Sequence, residues 1–277
     1  MAPQQAPSGA RLALPQFWEF RAPADWRTID FVSDLHLQAD RPRSVEALAA
    51  HLRHTPADAV FILGDLFEVW VGDDARHDRF EARVGELLKE ASAYRSLAFM
   101  AGNRDFLVGA AFLRECGAML LPDPTVLVAC GERLLLSHGD LLCLEDEAYQ
   151  RFRAEVRTEA WRDAFLARPL AERRALAARM RAASAEHQRG TGGELWADID
   201  TATAVRWMHE AAAPVLVHGH THRPGDETLA PGYLRAVLSD WDLDADPPRA
   251  GVLRLGAGGL SRVAPSGVPA ASQRRPT

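Results

Sequence analysis

Apolar and polar positions along the chain fall into two regimes. In the first, short and largely branched apolar runs recur at Ile29–Val32, Ala59–Leu63, Leu97–Ala101, Val126–Val128, Leu134–Leu136 and Val215–Val217. Runs this short, bounded by small or polar residues, predict buried strands. Between the early runs lie Ser44–His54 and Arg79–Tyr94, where apolar residues return at helical spacing. The resulting βαβαβ order predicts an α/β fold built on a layered sheet. In the second regime, from Glu145 to about Ala213, the strand signal stops. Phe152 with Val156 and Trp161 with Phe165 are i, i+4 pairs, which gives these helices an apolar face. The stretch of about 145–213 is therefore predicted to be a helical insertion, a lid set between two strands of the core. Residues 1–26 and 264–277 are rich in Pro, Ala and polar side chains and read as loosely ordered ends around a core of 27–263. The aromatic cluster Phe17, Trp18 and Phe20 is the exception, and docking on the core is its expected fate.

The residues just past these runs change the picture. Ser33-Asp34, Gly64-Asp65, Gly102-Asn103, Ser137-His138 and His218 itself all stand at the ends of predicted strands. Open α/β sheets bind ligands outside the carboxyl ends of their strands, so these side chains are expected to share one site. Asp34-Leu35-His36 offers two ligand-type side chains at i and i+2, which an extended backbone would point to one side. Asp65 offers a carboxylate able to bridge two cations, as sites with cations about 3.5–4 Å apart require. Asn103 adds an amide oxygen, and Arg104 beside it a guanidinium that forks onto phosphate oxygens. His138-Gly139-Asp140 and His218-Gly219-His220-Thr221-His222 complete five motifs in series. Any one of them is as readily a capped turn or a hydrogen-bonded core residue; five together point to a two-metal site. A mixed Asp, His and Asn set without Cys suits two Mn²⁺ ions first, with Fe²⁺ and Zn²⁺ as rivals.

Composition narrows the class. With 47% hydrophobic and 25% charged residues the chain is globular rather than fibrous, and its net charge of -6 carries no general nucleic-acid footprint. Cys116, Cys130 and Cys143 show no CxxC spacing, so neither a disulfide framework nor a thiolate metal site is expected. No apolar run reaches the roughly 18 residues of a membrane span, and the opening MAPQQAPSGA lacks the order of a secretory signal. A cytoplasmic protein is expected. Against the acidic whole, residues 151–189 hold ten Arg and no Lys with only five acidic residues. A solvated helix face is the ordinary account of such a run, and attraction to phosphate or anionic lipid head groups the functional one.

The order D-x-H, G-D, G-N, H-G-D, H-G-H, carried by Asp34/His36, Asp65, Asn103, His138 and His218/His220, resembles the calcineurin-like metallophosphoesterase superfamily. Within it the strings SDLHL, ILGDLFEVWVGDD, GNRDFL, SHGDLLCLEDEAYQ and HGHTHRP are similar to the family of hydrolases that act on UDP-2,3-diacylglucosamine in lipid A biosynthesis. The resemblance runs from about Thr28 to Arg262 and implies a layered sheet sandwich flanked by helices. It implies one metal on Asp34, His36, Asp65 and His220 and a second on Asp65, Asn103, His138 and His218, with Asp65 bridging. It also implies water attack on the α-phosphorus, giving UMP and 2,3-diacylglucosamine 1-phosphate, with Arg104 stabilising phosphoryl charge. Substrate contacts would come from Asn103, Arg104, Asp146, Ser184, Gln188 and His218. An apolar groove for the acyl chains would be lined by lid residues such as Trp161, Phe165 and Met180. Glu68, Asp73, Asp74 and His222 are expected around the ligands rather than among them.

The chain departs from the pattern in carrying Arg104 where many superfamily members carry His. It also has Gln188 and the stretch near Arg189 where an Asn and a Lys are expected. With such a substrate the protein would lie peripherally on the cytoplasmic face of the inner membrane, with no nucleic acid and no obligate protein partner. A phosphoesterase of soluble nucleotides or phosphoproteins, and a scaffold that has lost catalysis, remain open on the same motifs.

Overall fold

The computed structural model describes residues 13–190 and 197–268, and of residues 183–185 and 187–190, Ser184 and Gln188 among them, the backbone only. In chain order the elements are β1 (Trp18–Arg21), β2 (Ile29–Val32), α1 (Pro42–His54), β3 (Ala59–Leu63), α2 (Arg79–Ser92), β4 (Ser96–Met100), α3 (Ala110–Cys116), β5 (Ala118–Leu121), β6 (Thr125–Ala129) and β7 (Glu132–Ser137). There follow α4 (Glu147–Val156), α5 (Glu159–Leu166), α6 (Leu170–Gly190), α7 (Thr201–Glu210), β8 (Val215–His218), β9 (Gly225–Ala230), β10 (Tyr233–Val237), β11 (Val252–Gly256) and β12 (Gly259–Val263).

The strands form not one sheet but two of six strands each, ordered β12-β11-β2-β3-β4-β5 and β1-β6-β7-β8-β10-β9. Period-two alternation places Ala59, Phe61 and Leu63 of β3 between the sheets, in one cluster with Leu127, Leu134, Leu136 and Val217 of the other sheet. The alternate residues Val60 and Ile62 face outward and are covered by Val45 and Leu48 of α1, Val84 and Leu88 of α2, and Phe112 of α3. On the far side of the second sheet, Trp207 and Met208 of α7 bury Val126, Leu135 and Leu216. The result is a helix, sheet, sheet, helix sandwich. β2, β3 and β4 are parallel neighbours buried on both faces, hence their continuous apolar text.

Two expectations change. The segment before residue 27 is not loop throughout, because Trp18–Arg21 pairs in parallel with β6, while Phe20 docks 6.0 Å from Phe61 as expected of the aromatic cluster. The stretch of about 145–213 divides: α4, α5 and α6 form the lid, whereas α7 is a core helix, with Trp207 fully buried. Periodicity gives both parts the same signature, since an amphipathic face does not say what covers it.

The lid is fastened by its own charges. Arg173 of α6, only 2% exposed, donates to the Val71 carbonyl and pairs with Asp74, and Arg174 pairs with Asp78. Arg153 of α4 lies 2.8 Å from the buried Asp140, and Arg157 donates to the Gly102 carbonyl at 2.8 Å. Four of the ten arginines of the basic run thus tie the lid to the core. Phe165 is buried and stacks on Trp161 at 4.8 Å, so it joins lid to core rather than lining an open groove. Phe152, Leu166 and Met180 remain exposed on the lid.

Candidate metal centre

The strand ladder runs on into the ligand loops. Past the end of β2, the amide of Asp34 donates to the Gly64 carbonyl at 3.1 Å and that of His36 to the Asp65 carbonyl at 3.0 Å. The loops after β2 and β3 are therefore locked side by side. Within them the backbone is not extended, contrary to the i, i+2 expectation. Asp34 has φ 52°, His36 φ 46° and Asp65 φ 54°, and His220 on the opposing sheet has φ 65°. Left-handed conformations at non-glycine residues cost on the order of 1 kcal/mol each, and such strain concentrates at functional sites. The turn, rather than strand alternation, aims these side chains inward.

Two glycines make room for the convergence. A Cβ on Gly64, itself at φ 91°, would run into the His138 ring, and one on Gly102 into the carboxylate and amide of Asp65. Asp105, fully buried, joins the same loops. Its carboxylate accepts from the amides of Leu66 at 2.8 Å and Gly102 at 2.8 Å, and more loosely from those of Asp65 and Phe67. Burial and the neighbouring Asp65 push its carboxyl up, to about 7.

The side chains meet where the two sheets' carboxyl ends face each other. Asp34 Oδ2 accepts from Ser33 Oγ at 2.6 Å and from the His220 amide at 2.9 Å, while its Oδ1 is buried without an aligned hydrogen bond. Around that oxygen stand His36 Nε2 at 3.9 Å and His222 Nε2 at 3.4 Å. Asp65 Oδ2 lies 4.0 Å from His36 Nε2, and its Oδ1 3.7 Å from His138 Nε2. Asn103 Oδ1 sits between His138 Nε2 at 2.9 Å and His220 Nδ1 at 3.0 Å. Six of the seven predicted ligands, Asp34, His36, Asp65, Asn103, His138 and His220, are thereby in one cluster.

Electrostatics say what the cluster wants. His138 Nδ1 lies 3.0 Å from the Leu63 carbonyl, which only accepts, so this nitrogen carries the proton and Nε2 faces Asp65 and Asn103. Against the downward pull of burial, the carboxylates of Asp65, Asp34 and Asp140 hold its pKa up, at about 9. The buried oxygens therefore call for positive charge at that place, from a proton or from a cation. An orphaned carboxylate oxygen, a second carboxylate and imidazoles presenting Nε2 are the donor set of a borderline divalent ion, and the residues fit one.

His218 behaves differently. It is fully buried, its Nδ1 lies 2.8 Å from the Gly219 carbonyl, and its Nε2 accepts from Arg235 Nε at 2.9 Å. Burial and the Arg235 charge lower its pKa to about 4, so the ring is neutral. Of the other expected residues, Arg104 lies 3.9 Å from Asp65 by its Nε, and its amide donates to Asp65 Oδ1 at 2.8 Å. Asp146 caps α4, accepting from the Tyr149 amide at 2.9 Å. The side chains of Ser184 and Gln188 lie outside the described residues. Asp73 and Asp74 do not reach the ligands: Asp73 accepts from the Gly109 and Phe112 amides at the start of α3, and Asp74 holds Arg173. His222, expected around the ligands, stands beside Asp34 and 3.2 Å from His36 Nε2.

Sequence reading missed Tyr149 and Arg153, which bind Asp140 at 2.5 and 2.8 Å, and also Arg235. Tyr149 stands within the string SHGDLLCLEDEAYQ without being singled out there, and no motif marks Arg153 or Arg235.

A sandwich of two sheets whose facing strand ends carry Asp, His and Asn around one point defines a metal-dependent phosphoesterase. The family model described as calcineurin-like phosphoesterase matches residues 27–224, and the chain belongs to that family, which implies use of a divalent metal. Within it, the chain is 45% identical over 237 residues to a UDP-2,3-diacylglucosamine hydrolase of Chromobacterium violaceum, covering 84% of this chain and 96% of that protein. It is 44% identical over 243 residues to a UDP-2,3-diacylglucosamine hydrolase of Xanthomonas oryzae pv. oryzae, covering 83% and 96%. With these relatives it shares a family.

Proposed function

We propose that the protein hydrolyses the pyrophosphate of UDP-2,3-diacylglucosamine, giving UMP and 2,3-diacylglucosamine 1-phosphate. The observation that carries this is the near full-length likeness to hydrolases of that name, joined to a site in which six side chains of the ligand motifs cluster. Water adds to the α-phosphorus as the bond from that phosphorus to the bridging oxygen breaks, and the sugar 1-phosphate leaves with the bridging oxygen.

Asp34, His36, Asp65 and His220 would hold one cation, and Asp65, Asn103, His138 and His218 the other. Two bound Mn²⁺ ions would supply Lewis acidity at the phosphoryl oxygens. Fe²⁺ and Zn²⁺ rank below Mn²⁺ for this donor set. The chain's own residues do the rest. Arg104, beside Asp65, neutralises charge on the phosphoryl oxygens, and Asn103 orients them. Asp146, with one carboxylate oxygen on the α4 cap, offers the other to the sugar, and Ser184 and Gln188 of α6 are assigned to the same region. The lid excludes water from the pyrophosphate.

A peripheral place on the cytoplasmic face of the inner membrane goes with a diacylated substrate. The exposed Phe152, Leu166 and Met180 of the lid support it, and no helix among the described residues is long and apolar enough to cross a membrane.

Mass spectrometry of the products from UDP-2,3-diacylglucosamine with Mn²⁺ tests the substrate and the bond together. UMP and the diacylated sugar 1-phosphate are expected. No turnover of the lipid, with ready cleavage of a dinucleotide or a generic diester, would sink the lipid reading.

A further inference from the structure

One carboxylate reaches both the metal cradle and the lid. Glu68, five residues past the end of β3 and one-fifth exposed, places its Oε2 2.9 Å from His36 Nδ1. Its other oxygen, Oε1, pairs with Arg181 of α6. The Nδ1 N–H is not well aligned on Oε2, so the contact is chiefly electrostatic, yet its effect on the ring is definite. A carboxylate beside Nδ1 draws the proton there and leaves the Nε2 lone pair facing Asp34 and Asp65.

We propose that Glu68 is a positioning residue that couples the lid to the metal centre, holding His36 by one oxygen and α6, through Arg181, by the other. The geometry gives the link direction in both senses. A cation on His36 Nε2 strengthens the Nδ1–H dipole and with it the pull on Glu68, which fixes the carboxylate for Arg181. Conversely, Arg181 on Oε1 orients Glu68 toward the ring. Among the described side chains of α6, Arg173 and Arg174 pair instead with Asp74 and Asp78, which lie outside the clustered set. Ser184 and Gln188 follow Arg181 within two turns of the same helix, so a hold on Arg181 is a hold on the part of α6 that carries them. By linkage, metal binding steadies the lid, and a steadied lid tightens the metal by the same factor.

The inference rests on the metal reading of the Asp34 and His36 cluster, and its test separates the two. Mn²⁺ affinity is measured by calorimetry on the full chain, and hydrogen exchange of α6 amides is followed with and without Mn²⁺, for the wild type, Glu68→Gln and Arg181→Gln. In the wild type, Mn²⁺ should bind and slow exchange in α6. Glu68→Gln should bind Mn²⁺ about 10- to 100-fold more weakly, and saturating Mn²⁺ should no longer slow α6 exchange. Arg181→Gln, which leaves His36 and Glu68 in place, should lose the same Mn²⁺-dependent protection with only a few-fold fall in affinity. A residue that merely stabilised α6 would raise its exchange equally with and without metal.

Wild-type affinity in Glu68→Gln, or equal Mn²⁺ protection of α6 in all three proteins, overturns the coupling while the metal site stands. Failure of the wild type to bind Mn²⁺, Fe²⁺ or Zn²⁺ overturns the metal reading and the coupling with it.

Discussion

The carboxylate of Asp105 accepts the backbone amide of Leu66 at 2.8 Å, across a sequence separation of 39 residues. Through that contact and its mate on Gly102, a residue outside the clustered side chains joins the loops that carry Asp65 and Asn103. Replacing Asp105 by Ala leaves buried N–H groups without acceptors, at about 1–3 kcal/mol for each group. A fall in unfolding free energy of about 3 kcal/mol or more is expected in urea titration, with Asp105→Asn intermediate because it keeps one acceptor. Wild-type stability of Asp105→Ala would show that these loops are held by something else.

Asp65 and His138 are expected to matter for chemistry rather than for fold. Asp65→Ala and His138→Ala should each lower bound metal, read by elemental analysis, and cut turnover by well over the roughly 100-fold that loss of a supporting partner costs. Circular dichroism should remain that of the wild type, because the cluster's loops are held by Asp105 and the continued β2–β3 ladder. Preserved turnover in either variant would remove that residue from the site.

Arg173 joins lid to core at one buried guanidinium. Arg173→Ala strands the Val71 carbonyl and releases Asp74, although Asp74, with a side chain 57% exposed, regains solvation and limits the cost. Faster limited proteolysis within α4–α6, with little change in the unfolding of the sandwich, is the expected result. An unchanged cleavage rate would mean that the other ties, Phe165 and Trp161 against the core and the Arg153, Arg157 and Arg174 contacts, suffice to hold the lid.

His51 governs a pH window far from the metal centre. It is buried in α1, 3.4 Å from Asp30 by Nε2, and its Nδ1 accepts from the Ser266 amide at 3.1 Å. Burial lowers its pKa from 6.5 to about 4, against the upward pull of Asp30. Between those values the unfolded chain binds a proton that the folded one does not, so stability rises with pH across this window and is lost on acidification. At about 1.4 kcal/mol per unit the contribution is about 3 kcal/mol. Unfolding free energies at pH 4.5 and 7.5 should show a shallower pH slope in His51→Gln than in the wild type. Equal slopes in the two proteins would mean that other groups govern the window.

Metal removal should act on stability as well as on turnover. Any cation that binds the folded chain alone stabilises it by mass action, by about 2.7 kcal/mol at a hundredfold excess over Kd. Chelation should therefore lower the melting temperature, and Mn²⁺ should restore it. No shift on chelation, with metal demonstrably lost, would mean that the unfolded chain binds as tightly.

Much of the core was legible along the chain because burial on both faces writes itself as unbroken apolar text. β2, β3 and β4 and the helices between them lie within two residues of where periodicity puts them. β9 to β12 were not legible. Gly225–Ala230 reads GDETLA and has no buried residue, so its strand character comes from pairing with β10 rather than from its own residues. Nor could spacing tell α7 from the lid helices, since Trp207 and Trp161 give the same amphipathic signal while one is fully buried in the sandwich and the other is a partly buried residue of the lid itself.

The sequence by itself determined the chemistry on offer. Asp, His and Asn at strand ends, glycines beside them and Arg104 next to Asn103 are facts of the chain, and six of the seven named ligands meet in space. Only the tertiary structure decided that they meet at all, because Asp34, Asp65 and Asn103 leave one sheet while His138, His218 and His220 leave the other. Two sheets pack through a shared apolar interior whose register depends on the fit of Phe31, Phe61, Leu134 and Val217, and no local pattern encodes that fit. The same long-range packing turned Asp34, His36 and Asp65 into left-handed backbone, set Arg235 on His218, and put Glu68 between His36 and Arg181. Each is a contact between residues far apart in the chain, where the local text is silent.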